Sequence, residues 1–251
     1  MSANPIGEAA AEEIVALRET WHTKDHPFFV EFSEGKVGLR ELAALMAQHF
    51  HHVERALPAL GLAIYKSTGA ARSFLIENLA EEEGLLAGES EGRHAVNHQD
   101  IIIRFCEAAG MTRDEVLETE ILPAWRARSN YYVNTLKDES IGVIVAMQST
   151  QEGQQPAINL ERVLPAMEKF HGYTMQSPEI EFFTEHALAD QEHSGRQIEL
   201  VKQLITNDDD KTRALEVAEV AVKTRWACMN DIYRVAVKGE RDPLPANIQA
   251  A

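Results

Sequence analysis

Apolar residues recur three and four apart in almost every segment of this chain, and no two alternating runs are joined by a hairpin turn. That period predicts an all-α fold. Punctuation by Pro, Gly and capping residues divides it into seven to eight helices. A first is expected over about Glu8 to His22, broken by His26-Pro27, and a second over about Leu39 to Ser67 with Pro58 as a kink. A third runs over about Ala71 to Glu83 and stops at Gly84. The polar stretch LLAGESEGRHAVN reads as a loop, after which Asn97 caps a helix to Ala109. Thr112 and Glu115 form a capping box for the next, which Pro123 interrupts before Asp138. A sixth helix is expected from Ser140 past Pro156 towards Phe170, a seventh from the Ser177-Pro178 cap to about Ile205, and a last from the Asp208 to Asp210 run to about Val237. Residues 1–251 read as one domain, with 1–7 and 240–251 loose. Helices of this number and length suggest a bundle with a site inside it.

Composition narrows the function more than the fold. A formal charge of −16, from 40 acidic and 24 basic residues, repels phosphate backbones and anionic lipid head groups, so neither nucleic acid nor membrane is an expected partner. MSANPIGEAAAEE has neither the basic nor the apolar region of a signal peptide, and the apolar run Ile141 to Met147 is too short to span a bilayer. A cytoplasmic protein is expected. Cys106 and Cys228 are the only cysteines and lie in helical sequence, so any metal must rest on His, Asp and Glu.

Those donors are concentrated. At about 100° per residue, His186, Asp190 and His193 fall within roughly 60° of one another on consecutive turns. Two imidazoles and a carboxylate on one stripe suit a divalent transition metal better than they suit a chance polar face. One helix cannot close a two-metal site, which draws carboxylates and His from facing helices. Glu152 is the single charge in VIVAMQSTQEGQQPAIN, and a carboxylate beside Val, Ala and Met is costly to bury without a cation. The acidic triplet Glu81, Glu82, Glu83 is a weaker signal, because such runs near helix ends are commonly solvated and spacing does not choose among them. His98 opens an apolar helix and is a further donor, while His94 falls in the loop. His49, His51 and His52 crowd the second helix, where one of them could line a pocket.

These residues resemble the haem-oxygenase-like diiron oxidases, relatives of thiaminase II and pyrroloquinoline-quinone synthase. FFTEHALADQEHS matches the family's His-x3-Asp-x2-His helix, QEGQQPA its Glu-x-Gln-x-Pro segment, and NLAEEEG followed by NHQDIIIRF its first Glu and His; HPFFVEFSEGKV is also similar to a segment near the family's N-terminus. The resemblance implies a single helical domain of the haem-oxygenase-like type, two Fe(II)/Fe(III) ions, and the ligand set Glu81, His98, Glu152, His186, Asp190 and His193. The family commonly separates the first Glu from its His by about six residues, and the longer polar insertion here leaves Glu81 against Glu82, and His98 against His94, open.

The resemblance further implies O2 as co-substrate, reduced by the two irons through a peroxo-diferric intermediate, with an external electron donor where the reaction needs one. Three carboxylates against two Fe(II) leave one positive charge, which favours an anionic ligand in the open coordination positions. Family reactions include N-oxygenation of amines, oxidative C–C or C–H cleavage of amino or fatty acids, and a self-sacrificing synthesis of para-aminobenzoate from the enzyme's own Tyr. Where that last branch has its consumed Tyr this chain has Phe29, where it has a nearby Lys the chain has Arg162, and where it has paired Tyr the chain has His49 and Phe50. An external small metabolite is therefore the expected substrate. Arg162, His52 and Phe29 are the candidates to bind it, Arg162 by a bidentate contact with a carboxylate. Thiaminase chemistry is disfavoured, since neither cysteine has an activating neighbour in sequence. The alternative is a catalytically silent metabolite-binding or regulatory protein on the same fold. A homodimer is the default assembly.

Overall fold

The computed structural model describes residues 4–87 and 94–240. These residues are overwhelmingly helical, with no strand among them. The helices are α1 (Pro5–Thr20), α2 (Pro27–Ser33), α3 (Leu39–Lys66), α4 (Gly69–Glu82), α5 (His98–Ala108), α6 (Arg113–Leu117), α7 (Pro123–Asp138), α8 (Ile141–Glu152), α9 (Gln155–Ile158), α10 (Leu164–His171), α11 (Glu181–Leu204) and α12 (Asp208–Ile232).

The axis of the packing is α8. Every residue from Gly142 to Gln151 is buried, so no face of this helix is available to water, and its apolar sequence IGVIVAM is fitted to that position. Helices α11 and α12 pack on it, α1 lies across both of these, and α3 pairs with α5 and α7. Close approach is built in at Gly142, where a Cβ would lie 2.7 Å from Ile205 Cδ1, and at Gly7, where a Cβ would strike the Lys202 carbonyl of α11. One continuous apolar core runs from Ala10 on α1 to Ile232 on α12. No described helix is long and apolar enough to cross a membrane.

Capping follows the sequence where a side chain is free to reach back. Asn97 accepts from the amides of Gln99 and Asp100, Thr112 and Glu115 form the expected box, and Asn207 accepts from Asp210 ahead of the acidic first turn of α12. Helix α3 runs through Pro58, as expected. Three expectations need correction. His26-Pro27 ends one segment but also starts α2, with Pro27 in the first turn and the His26 ring accepting from the Phe28 amide. The expected continuous helix from Ser140 to Phe170 breaks after Glu152, because Arg18 occupies the space a Cβ at residue 153 would need and Pro156 has no N–H to continue the ladder; a π-helical turn at Asn159–Val163 then leads into α10. At the N-terminus, Asn4 caps α1 and donates to the carbonyls of Lys202 and Ile205, each at 2.8 Å, so residues 4–7 are fastened to α11 rather than loose. The expected loose tail falls almost wholly outside the described residues, as does the middle of the loop between α4 and α5.

Candidate metal centre

The C-terminal ends of α4 and α8, the first residue of α5 and the middle of α11 meet beside the core. An isolated antiparallel bridge between Glu83 and Asn97 draws the end of α4 and the start of α5 together. Gly84 has φ +71°, and a Cβ on it would lie 2.5 Å from the Asn97 amide nitrogen, so glycine is required there on both counts. The polar insertion is thereby looped out, and Glu82 and His98 meet across its base with Nδ1 2.7 Å from Oε2.

Two sets of three donors result. Glu82, His98 and His186 form one, Glu152, Asp190 and His193 the other, and within each set the donor atoms lie within 4.8 Å of one another. His186 donates from Nδ1 to the Phe182 carbonyl at 2.8 Å, which leaves its Nε2 lone pair for another partner. His193 makes a 3.1 Å contact from Nε2 to Glu81 Oε2, while its Nδ1 lies 3.8 Å from Glu152 and 4.0 Å from Asp190. Gln197, one turn further along α11, donates to Glu152 Oε2 at 2.8 Å. Asp190 is 3% exposed, yet its Oδ2 accepts no hydrogen bond.

The electrostatics are those of acids crowded away from water. Burial raises Glu152 to about 7, and burial together with Glu152 raises Asp190 well above the ordinary Asp range. Burial would raise Glu82 too, but the charge and hydrogen bond of His98 hold it at about 2. Burial and the neighbouring His98 depress His186 to about 3. Burial opposes protonation of His193 as well, but the Glu81 hydrogen bond and the nearby carboxylates outweigh it and lift this imidazole to about 9. Two divalent ions fit this donor set: they would relieve the crowding of Glu152 with Asp190, and they would engage the orphaned Asp190 oxygen.

The six sequence-derived ligand positions do converge, with one correction. Glu82, not Glu81, faces His98 and His186, and Glu81 lies behind His193. His94 is exposed and pairs with Glu181 away from the centre. Of the substrate candidates, His52 lines a cavity of about 100 Å³ against the centre, with its Nδ1 2.9 Å from Ser129 Oγ. Phe29 lines an adjoining, largely apolar cavity of about 40 Å³. Arg162 borders neither; it donates to the Lys24 carbonyl and to Asp25 on the connection between α1 and α2. Three residues the sequence reading passed over, Arg128, Arg225 and Tyr132, border the cavity at the centre. A signal for the arginines existed. Trp125, Arg128, Ser129 and Tyr132 share one helical face, and Arg225 precedes the run Trp226, Ala227, Cys228, Met229.

A match to iron-containing redox enzymes spans residues 43–226, which includes every donor of both sets. The chain belongs to this family. Among curated proteins it is similar to 4-aminobenzoate synthase of Chlamydia muridarum, 27% identical over 228 residues that cover 90% of each chain, and to that of Chlamydia trachomatis, 29% identical over 222 residues that cover 87% of this chain and 90% of the relative. Among solved structures, a domain of unknown function with a haem oxygenase-like fold from Shewanella denitrificans superposes with a TM-score of 0.73 at 18% identity, covering 93% of this chain and 96% of the other. A TenA homologue from Pseudomonas syringae gives 0.72 at 14%, covering 90% and 93%. The fold of this iron-containing redox enzyme is thus haem-oxygenase-like, as its motifs suggested. Both cysteines are buried and their thiols are pushed up to about 12 by that burial, so neither has the character of a nucleophile.

Proposed function

We propose that this redox enzyme holds two iron ions, one on Glu82, His98 and His186 and one on Glu152, Asp190 and His193, and uses O2 to oxidise a small external substrate. The observation that carries the reading is the pair of three-donor sets, contributed by four helices and facing one cavity. When bound, two Fe(II) ions supply two of the electrons that reduce O2. The chain's own residues do the rest. Gln197 orients Glu152, Glu81 engages Nε2 of His193 and leaves Nδ1, 3.3 Å from Asn78 Nδ2, towards the metal, and the Phe182 carbonyl holds Nδ1 of His186 so that Nε2 is free. Phe182, Leu57 and Leu60 line the cavity wall with apolar surface that restricts water.

The names of the relatives favour a reaction at or beside an amine, N-oxygenation or oxidative C–C cleavage, over desaturation of a hydrocarbon. Self-sacrifice at residue 29 is excluded by chemistry, since Phe29 has no phenol to give. The test is anaerobic reconstitution with Fe(II) followed by exposure to O2. Two irons per chain and O2 consumption that depends on both are expected, with iron lost in His186→Ala and Asp190→Ala. A protein that takes up no iron would refute the proposal and favour a silent metabolite-binding role.

A further inference from the structure

Two arginines stand where the two cavities meet, Arg128 buried and Arg225 partly buried. Arg128 on α7 and Arg225 on α12, with His49, Gln155 and Phe182, border both the cavity at the metal centre and the apolar one. Arg128 is only 8% exposed, and the one hydrogen bond it makes to the protein runs from Nη2 to Gln151 Oε1 at 2.8 Å. Arg225 donates to Thr23 Oγ1, to the Gln151 carbonyl at 2.8 Å and to Gln155 Oε1 at 3.0 Å. All of these acceptors are neutral, and among the described residues neither guanidinium pairs with a carboxylate. Arg18, Arg40, Arg104, Arg162, Arg196 and Arg213, all more exposed than Arg128, each have one.

A buried cation without a counter-ion is costly unless something anionic joins it. The cost shows in both groups: burial depresses Arg128, and burial together with the charge of Arg128 depresses Arg225 to about 9. The acids of the metal centre do not supply the missing charge once that centre is filled. Two divalent ions against Glu82, Glu152 and Asp190 leave one positive charge, and Glu81 balances it, so the guanidiniums remain in excess. The local histidines add nothing negative. Burial and Arg128 hold His49 and His52 well below their ordinary value and therefore neutral.

We propose that Arg128 and Arg225 form the anion-binding end of the substrate pocket, and that the substrate is an amphipathic carboxylic acid whose apolar body occupies the cavity beside Phe29. Arg128 has four of its five N–H donors uncommitted, enough for a two-point contact with a planar carboxylate. The body of the ligand is assigned by the wall of that cavity, where Phe29, Leu42, Leu45, Met46, Ile158 and Val163 offer apolar contact. The inference rests on the diiron reading only for what happens to the substrate, not for where its acid end is held.

The experiment is calorimetric titration of the metal-free and the anaerobic Fe(II)-loaded protein with hexanoate and benzoate, each against its amide, hexanamide or benzamide. At least one acid is expected to bind about tenfold or more tightly than its amide. Arg128→Gln and Arg225→Gln should each weaken the acid by about tenfold to a hundredfold and leave the amide unchanged. Should either Gln variant fail to fold, Arg128→Lys and Arg225→Lys keep the charge but lose the fork, and a partial loss of the acid preference is expected. Equal binding of acid and amide, binding of neither, or an undiminished preference in the variants would overturn the proposal. Iron content is measured on the same samples. A preserved acid preference without iron would sink the diiron reading and keep the anion site, and two irons without an acid preference would do the reverse.

Discussion

Glu81 and Glu82 are adjacent in sequence and identical in chemistry, yet they are assigned different tasks, and exchanging each for Gln separates them. Glu82 supplies a carboxylate 2.7 Å from His98 and within 4.8 Å of His186. In Glu82→Gln the site loses an anionic donor, and one of the two irons should be lost from the stoichiometry. Glu81 is 5% exposed and meets the far nitrogen of His193 at 3.1 Å. Glu81→Gln can still accept that N–H, but a charge-assisted bond becomes a neutral one, a difference of about 1 kcal/mol or roughly fivefold in iron affinity. Glu81→Ala removes the orienting acceptor altogether, for which a tenfold to hundredfold loss of affinity is the expected scale. Anaerobic titration with Fe(II), followed to saturation and read as the number of ions and the Kd of the weaker one, measures both quantities. Two irons retained in Glu82→Gln, or one lost in Glu81→Gln, would refute the assignment.

Three further outcomes follow from the same geometry. The metal-free protein should lose thermal stability as pH rises: His193, raised from 6.5 to about 9, contributes stability that is present below 6.5 and lost through 9, and ionisation of Glu152 near 7 acts in the same direction. Protons compete with iron for those groups, so the rise in Tm on adding Fe(II) should grow between roughly pH 6 and 8; a metal-free Tm that is flat or rising from pH 6.5 to 9, or that falls no less steeply in Glu81→Gln, contradicts this. Gly7→Ala should destabilise by about 1–3 kcal/mol in chemical denaturation despite the better helix propensity of Ala, because the new Cβ meets the Lys202 carbonyl, part of the backbone of α11; a stabilised variant would show that α1 does not pack this closely. Arg162→Ala should leave iron content and acid binding unchanged and cost under about 1 kcal/mol, since its partner Asp25 is exposed, and loss of acid binding in this variant would return Arg162 to the pocket.

The parts of the fold legible in the sequence are those decided within one or two turns of helix. The caps at Asn97 and Thr112 are local hydrogen bonds between near neighbours, and both form, whereas the side chain of Ser177 makes no cap bond. The expected helix across residues 140–170 breaks after Glu152, where Pro156 has no N–H to give back to the preceding turn, although its apolar period continues. What the sequence does not announce is that Arg18 from α1 packs beside Gly153 in the space a side chain would need. Likewise nothing in the first seven residues announces that Asn4 will meet the carbonyls at the end of α11, nearly two hundred residues away.

The same division runs through the site. His186, Asp190 and His193 were legible because one helix places all three, and Glu152 because a lone charge in an apolar run has few reasons to be there. Arg225 gives a weaker signal than Glu152, because Lys223 lies two residues before it even though four consecutive residues of low polarity follow. Glu81 and Glu82 were not separable, for a physical reason: neighbours on a helix point about 100° apart, so the choice depends on how α4 is rotated against α5 and α11. That rotation is set by the bridge from Glu83 to Asn97, a contact across the very insertion that made the spacing unlike the family's. The insertion therefore does not disturb the centre. Because its ends are tied at residues 83 and 97, its length can change without moving Glu82 or His98, whereas Gly84→Ala, with a Cβ against the Asn97 backbone at a positive φ, would pull both donors apart and cost iron affinity that no change within the loop itself would cost.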